Sequence, residues 1–114
     1  MRLAVIGNED TIVSDDYMAK VIEGCCQLRP SVLYTSGARG IENCAWSTAV
    51  FQWKLKHAII IDDPETLAKA VEMFLFVWGG NEDAHVQRYR AWAYQSLKPC
   101  VEWLCPPGNY FMAD

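Results

Sequence analysis

The sequence predicts an α/β sandwich in which a mainly parallel sheet of about five strands carries helices on both faces. Three observations predict it. Strand-length apolar runs alternate along the chain with stretches of helical periodicity, the pattern of strand–helix–strand crossovers rather than of hairpins. The runs Leu3-Ala4-Val5-Ile6 and Phe74-Leu75-Phe76-Val77 are continuous, as strands buried on both faces must be. Finally, these two runs and Val32-Leu33-Tyr34 all lead into glycine-bearing turns.

Taken in order, Leu3 to Ile6 is the first strand, leaving through Gly7-Asn8 into an acidic loop. Ser14-Asp15-Asp16 offers a helix start, and Tyr17, Val21, Cys25 and Leu28 recur at helical spacing until Arg29-Pro30 stops the helix. Val32-Leu33-Tyr34 is the second strand. After the turn at 37–40, Ile41, Cys44, Ala45, Thr48 and Phe51 mark the inner face of a second helix. The third strand covers 57–61. Asp62-Asp63-Pro64-Glu65 then opens a short helix, with proline in its first turn and carboxylates placed favourably against the helix dipole. The fourth strand lies within 73–77 and leaves through Trp78-Gly79-Gly80-Asn81. A helix over 83–97 follows, with Val86, Tyr89, Ala93 and Leu97 inside, until Lys98-Pro99 ends it. Cys100, Val101 and Trp103 form a last, more mixed strand, and Pro106-Pro107-Gly108 closes the regular structure. Right-handed crossovers between these strands give a Rossmann-like three-layer sandwich.

A chain of 114 residues accommodates one ordinary domain, so 1–114 is read as a single unit. No apolar run approaches the roughly 18–20 residues of a membrane span, and four apolar residues after Met1-Arg2 leave no room for a signal peptide's apolar segment. Cys25, Cys26, Cys44, Cys100 and Cys105 are an odd set without CxxC spacing. They read as reduced packing thiols in a cytoplasmic protein, with no metal site. The net charge of −4 gives no basic footprint for a nucleic-acid backbone.

The segment Tyr34-Thr35-Ser36-Gly37-Ala38-Arg39-Gly40 is where a buried strand hands over to a helix, and its chemistry suits an anion. Glycines allow a tight turn and close backbone approach, the helix N-terminus presents unpaired N–H groups, and Ser36 and Arg39 supply donors for a phosphate or ribose. In open parallel sheets ligands sit outside the carboxyl ends of the strands, where the strand order reverses, so the three glycine-bearing exits can converge there. Neither GxGxxG after the first strand nor GxxxxGK[ST] is present, which speaks against ordinary NAD binding and NTP hydrolysis.

The order of these motifs resembles the small YspA-like (DUF2493-type) members of the SLOG superfamily, Rossmann-like proteins related to the lysine decarboxylase-like LOG enzymes and to the DNA-processing protein DprA. The resemblance spans nearly the whole chain. It rests on Leu3-Ala4-Val5-Ile6-Gly7, on Ser36-Gly37-Ala38-Arg39-Gly40 with Glu42, on Val77-Trp78-Gly79-Gly80, and on Leu97-Lys98-Pro99. It implies a nucleotide or nucleotide-derived ligand over the glycine turns, in a domain used either as an enzyme on nucleoside monophosphates or as a sensor. Three departures qualify it. Ala84-His85 stands where the family tends to open its last long helix with Gly-Thr, and the segment after Ile61 lacks the family's Arg-Asn-bearing loop. The PGGxGTxxE motif of LOG-type hydrolases is broken across Trp78-Gly79-Gly80-Asn81-Glu82-Asp83-Ala84-His85.

The ligand-binding set expected on these grounds is Gly7, Asn8, Ser36, Gly37, Ala38, Arg39, Gly40, Glu42, Trp78, Gly79, Gly80, Asn81 and His85. Arg39 is a bidentate phosphate partner, against the plainer reading of a solvated residue at a helix start. Glu42 accepts from a ribose hydroxyl or acts as a base, or is simply a carboxylate near a helix start. His85 contacts an anion or is an ordinary first-turn residue. Trp78 stacks on a base or packs. Asp62-Asp63 suggests magnesium, but helix capping is the better account. Trp46, Trp53 and Trp92 exceed what one small core readily holds, which points to a homo-oligomer contact.

Two functional classes follow. In the first, a non-catalytic module binds an ADP-ribose-like or cyclic nucleotide signal as a sensor or sequestering protein; a phage protein acting against a nucleotide-signalled host defence fits that role. In the second, a small hydrolase cleaves an N-glycosidic or phosphate bond with Glu42 or Glu82 as base and Arg39 stabilising charge. The broken hydrolase motif favours the first, with no cofactor and no catalytic residue assigned.

Overall fold

The computed structural model describes residues 1–9, 23, 27–79 and 82–105. In chain order these form β1 (Arg2–Gly7), β2 (Val32–Thr35), α1 (Ile41–Phe51), β3 (Ala58–Ile60), α2 (Pro64–Ala70), β4 (Met73–Gly79), α3 (Ala84–Gln95) and β5 (Cys100–Cys105). Most of the helix expected after Ser14 lies outside the described residues, including Tyr17, Val21 and Cys25; Glu23, Gln27 and Leu28 are helical. Gly80 and Asn81 also lie outside them.

All strand pairings are parallel, in the order β3-β2-β1-β4-β5. The chain moves outward from β1 through β2 to β3, then returns to the other side of β1 for β4 and β5. The reversal point is therefore between β1 and β4, the two strands whose sequences are continuously apolar. Flanked on both edges and covered on both faces, they have no polar side to show.

The two-residue period of β1 divides the core. Leu3 and Val5 join Leu33, Leu75 and Val77 against Ile41, Ala45 and Ala49 of α1. Ala4 and Ile6 join Tyr34, Phe74 and Phe76 against Leu67 and Ala68 of α2 and Val86, Tyr89 and Ala93 of α3. Each fully buried Leu, Ile or Phe in these layers contributes about 1.5–3 kcal/mol relative to exposure. α1 lies on one face of the sheet, α2 and α3 on the other, so the three-layer sandwich is present.

Local chemistry sets the helix ends. Asp63 caps α2, its carboxylate accepting from the Thr66 N–H at 2.9 Å and the Thr66 hydroxyl at 2.6 Å, and Pro64 follows in the first turn. Asp83 caps α3 by accepting from the Val86 N–H at 2.9 Å. α3 ends with Lys98 N–H on the Ala93 carbonyl and Leu97 N–H on the Tyr94 carbonyl, a Schellman arrangement with Leu97 at φ 55°.

That ending corrects one expectation: Leu97, assigned to the inner face, is 90% exposed because the helix stops before it can turn inward. Phe51 is corrected likewise. It is the last residue of α1 and 71% exposed, while Glu42 and Ala49 belong to the buried face. Trp53 and Trp92, expected to carry an oligomer contact, pack half-buried against the two core layers, and Trp46 is half-buried in α1. No described helix is long and apolar enough to cross a membrane.

Candidate functional site

The carboxyl ends of β1, β2 and β3 open into a cleft of about 210 Å³ roofed by the start of α3. Its lining is Glu9 after β1, Ser36, Gly37 and Ala38 after β2, Asp62 after β3, and His85 and Arg88 from α3. Each neighbouring strand contributes its exit because parallel pairing brings all three ends to one edge.

Under the cleft lies Glu42, a fully buried carboxylate in the first turn of α1. Its Oε1 accepts from the Ser36 N–H at 2.7 Å and the Ser36 hydroxyl at 2.5 Å. Its Oε2 accepts from the Gly7 N–H at 3.3 Å and lies 2.7 Å from His85 Nε2. One side chain thus ties together the exits of β1 and β2, the start of α1 and the start of α3. A buried carboxylate is tolerable only when so fully hydrogen-bonded and faced by a cation.

The cation is His85. Its Nδ1 lies 3.0 Å from Glu9 Oε1 while Nε2 meets Glu42, so both ring nitrogens face carboxylates. Burial opposes the charged imidazolium, but the hydrogen bond to Glu42 and the charges of Glu42, Glu9 and Asp83 outweigh it, and the ring's pKa is held above its ordinary 6.5. Asp83 also fixes the ring's position. Besides capping α3 it accepts from the Glu9 N–H at 2.7 Å, and its own N–H donates to Asn8 Oδ1 at 3.1 Å. The exit of β1 is therefore laced to the start of α3.

A pH dependence follows. The proton on His85 is held more tightly in the folded than in the unfolded chain, so this contribution to stability is fully present below about pH 6.5. It is lost as pH rises through the higher folded-state value. Urea unfolding between about pH 6 and about pH 9 is expected to show a falling midpoint, and His85→Gln should flatten that slope; an unchanged slope in the variant would place its origin elsewhere.

The turn after β2 needs its glycines. Gly37 has φ 89° and Gly40, the N-cap of α1, φ 83° with ψ −117°, backbone that side-chain-bearing residues rarely adopt. Gly7 is required for a different reason: a Cβ there would lie 2.6 Å from Ile41 Cγ2, so the Ile41 side chain of α1 packs directly on the backbone of β1.

Of the expected residues, Gly7, Ser36, Gly37, Ala38, Glu42 and His85 come together in or beneath the cleft, with Asn8 bracing its rim. Arg39 is exposed and does not line the cleft, and Gly40 acts as the helix cap. Of the described residues that end β4, neither Trp78 nor Gly79 lines the cleft. Trp78 packs against the α2 and α3 layer with the Arg90 guanidinium 5.4 Å from its ring centre, and Gly79 completes the strand. Arg90 also pairs with Glu82 and Glu102, and the Tyr94 hydroxyl donates to Glu102, a network separate from the cleft.

Sequence reasoning missed Arg88, Glu9 and the cleft role of Asp62. Of the Asp62-Asp63 pair only Asp63 is the cap; Asp62 is turned into the cleft. Arg88 lies one helical turn after His85, the i,i+3 spacing that puts both on one face, and that was the available signal. Among the described residues no group of three His, Cys, Asp or Glu side chains is arranged to hold a metal ion, and Cys44 and Cys100 are free thiols.

Comparison with known proteins returned no relative: no protein-family model, no curated protein and no solved structure matches the chain.

Proposed function

We propose that the protein binds a nucleotide or nucleotide-derived signalling molecule in this cleft, without turning it over, as a sensor or sequestering protein. The observation that carries the reading is the placing of Arg88 in the same cleft as the Ser36-Gly37-Ala38 turn. Arg88 has no hydrogen bond or salt bridge among the described residues; its guanidinium lies 5.9 Å from the centre of the Tyr89 ring. An uncommitted guanidinium beside a glycine turn at a parallel sheet's carboxyl edge is a receptor for phosphate oxygens.

Binding is favoured over hydrolysis by the state of the two candidate bases. Glu42 has both oxygens engaged and no exposure, and Glu82 is paired with Arg90 outside the cleft. One feature favours turnover: Ser36 Oγ is 3.0 Å from His85 Nε2, whose Nδ1 meets Glu9, the spacing of a nucleophile, a base and its orienting carboxylate. Yet the serine hydroxyl is directed at Glu42, and the ring nitrogen that faces Ser36 is itself taken up by Glu42 Oε2 at 2.7 Å. The resting arrangement therefore suits holding a ligand.

Native mass spectrometry with AMP, ADP-ribose and cyclic AMP tests the reading. At least one is expected to be retained intact and released unchanged, with Arg88→Ala lowering its affinity roughly ten- to a hundredfold, the effect of losing a charged hydrogen bond. A ligand returned cleaved would favour the hydrolase, and capture of none would overturn nucleotide binding.

A further inference from the structure

We propose that Asp62 and Arg88 form a two-part subsite for a phosphorylated ribose, Arg88 taking the anionic group and Asp62 accepting from a sugar hydroxyl. The inference rests on the nucleotide-binding reading above and narrows it to ribose-bearing ligands recognised through that sugar.

Two charged residues of the cleft remain uncommitted. Glu9 is engaged by His85, and the Ser36 hydroxyl by Glu42. Asp62 and Arg88 are the charged lining residues without a hydrogen bond or salt bridge among the described residues. One is an acceptor and the other a donor, so the fitting ligand presents both an anion and a hydroxyl or similar donor. Purely anionic ligands would meet Asp62 and Glu9 as repulsion, which argues against free phosphate or a bare polyphosphate chain.

A second observation comes from behind the cleft. The Tyr89 hydroxyl is buried with no hydrogen-bond partner, although Tyr89 has no exposed surface. An orphaned buried hydroxyl is costly unless something completes it. Burial pushes its pKa up to about 12; nearby Ser36 opposes the shift without making a hydrogen bond of ordinary geometry, Asp62 and Glu42 add to it, and Arg88 lowers it. Tyr89 directly follows Arg88 in α3, so its orphaned hydroxyl belongs to the helix whose start roofs the cleft.

Size gives a third constraint. At about 210 Å³ the cleft is below the roughly 300–1,000 Å³ of sites that enclose a whole drug-sized ligand. It takes one polar portion of a nucleotide, and the charge pattern selects the sugar and its phosphate, leaving the base outside.

Calorimetric titration with AMP, 2′-deoxy-AMP and 3′-deoxy-AMP tests this. In the unmodified protein, loss of at least one of the two hydroxyls is expected to weaken binding about tenfold or more. In Asp62→Ala the three ligands should bind alike, while Arg88→Ala should weaken all three together. Asp62 is exposed and unbonded, so the variant should keep the native circular dichroism spectrum and unfolding midpoint. Tyr89→Phe should keep the fold and weaken AMP. Equal binding of all three ligands by the unmodified protein would overturn the subsite while leaving nucleotide binding intact. Binding of none would overturn the subsite, and nucleotide binding with it if ADP-ribose and cyclic AMP are not captured either.

Discussion

Replacing Glu42 by alanine is expected to destabilise the protein by about 3–5 kcal/mol, the effect of removing one partner from a buried ion pair. Four groups lose their acceptor at once: the N–H of Gly7, the N–H and hydroxyl of Ser36, and Nε2 of His85. The imidazolium would remain buried against Tyr89, its ring 4.9 Å away, with Glu9 as its remaining hydrogen-bonded carboxylate. For a domain whose total stability is typically 5–15 kcal/mol this is a large fraction, and a substantial unfolded population is expected under mild denaturant. Glu42→Gln keeps the volume and one acceptor oxygen, so it should cost less. In that variant the His85 pKa should fall toward its ordinary value, because the hydrogen bond and charge of Glu42 are its main supports. The chain contains two histidines, and the other, His57, is exposed, so proton NMR can follow His85 directly against a solvent-facing reference. An unchanged His85 titration in Glu42→Gln would show that Glu9 and Asp83 hold the proton, and a stability loss under about 1 kcal/mol in Glu42→Ala would show that water replaces the carboxylate.

The fold was legible in the sequence because its evidence is local. Leu3 to Ile6 and Phe74 to Val77 are apolar without interruption and of strand length, as strands flanked and covered on all sides must be. Strand order was not legible. Which side of β1 receives β4 depends on packing between elements far apart in sequence, and no periodicity records it. The candidate site divides in the same way. Ser36, Gly37 and Ala38 were found because they form one contiguous turn whose chemistry is visible in seven residues. Arg88 and Glu9 were missed because neither belongs to a motif; they meet only once α3 crosses the exits of β1 and β2. Glu42 stands out in the sequence, but its burial and its four hydrogen-bonded contacts do not. A carboxylate in a helix's first turn is ordinarily solvated, whereas this one points back beneath the turn because Gly7 and Ser36 present N–H groups with no strand beyond them to receive. The exposed ends Phe51 and Leu97 fit their helical periods and fail for another reason, that each helix stops where the pattern would still have continued.

Substitution of Gly7 by alanine is the second large effect expected, a loss of about 1–3 kcal/mol from overpacking. The added Cβ would stand 2.6 Å from Cγ2, 2.7 Å from Cβ and 2.9 Å from Cδ1 of Ile41, a residue with no exposed surface. Rotating Ile41 moves the outer atoms but not its Cβ, so the backbones of β1 and α1 must separate. That separation reaches the cleft directly, since Gly7 donates to Glu42 and Glu42 holds Ser36 and His85. On the proposed function, Gly7→Ala should therefore weaken ligand capture as well as stability, although Gly7 is not among the described residues that line the cleft. The double variant with Ile41→Ala separates the causes. Two of the three close contacts disappear in it, so the cost of the glycine substitution should shrink in that background, a coupling between neighbours that chemical denaturation of the four proteins measures. If the two substitutions were additive, the glycine would be required for its backbone conformation rather than for the close crossing of α1 over β1. The conformational reading already has its own residues in Gly37 and Gly40, whose positive φ values Gly7 does not share. The turn and the crossing thus use glycine for different physical reasons, and both are needed to bring the exits of β1 and β2 to one carboxylate.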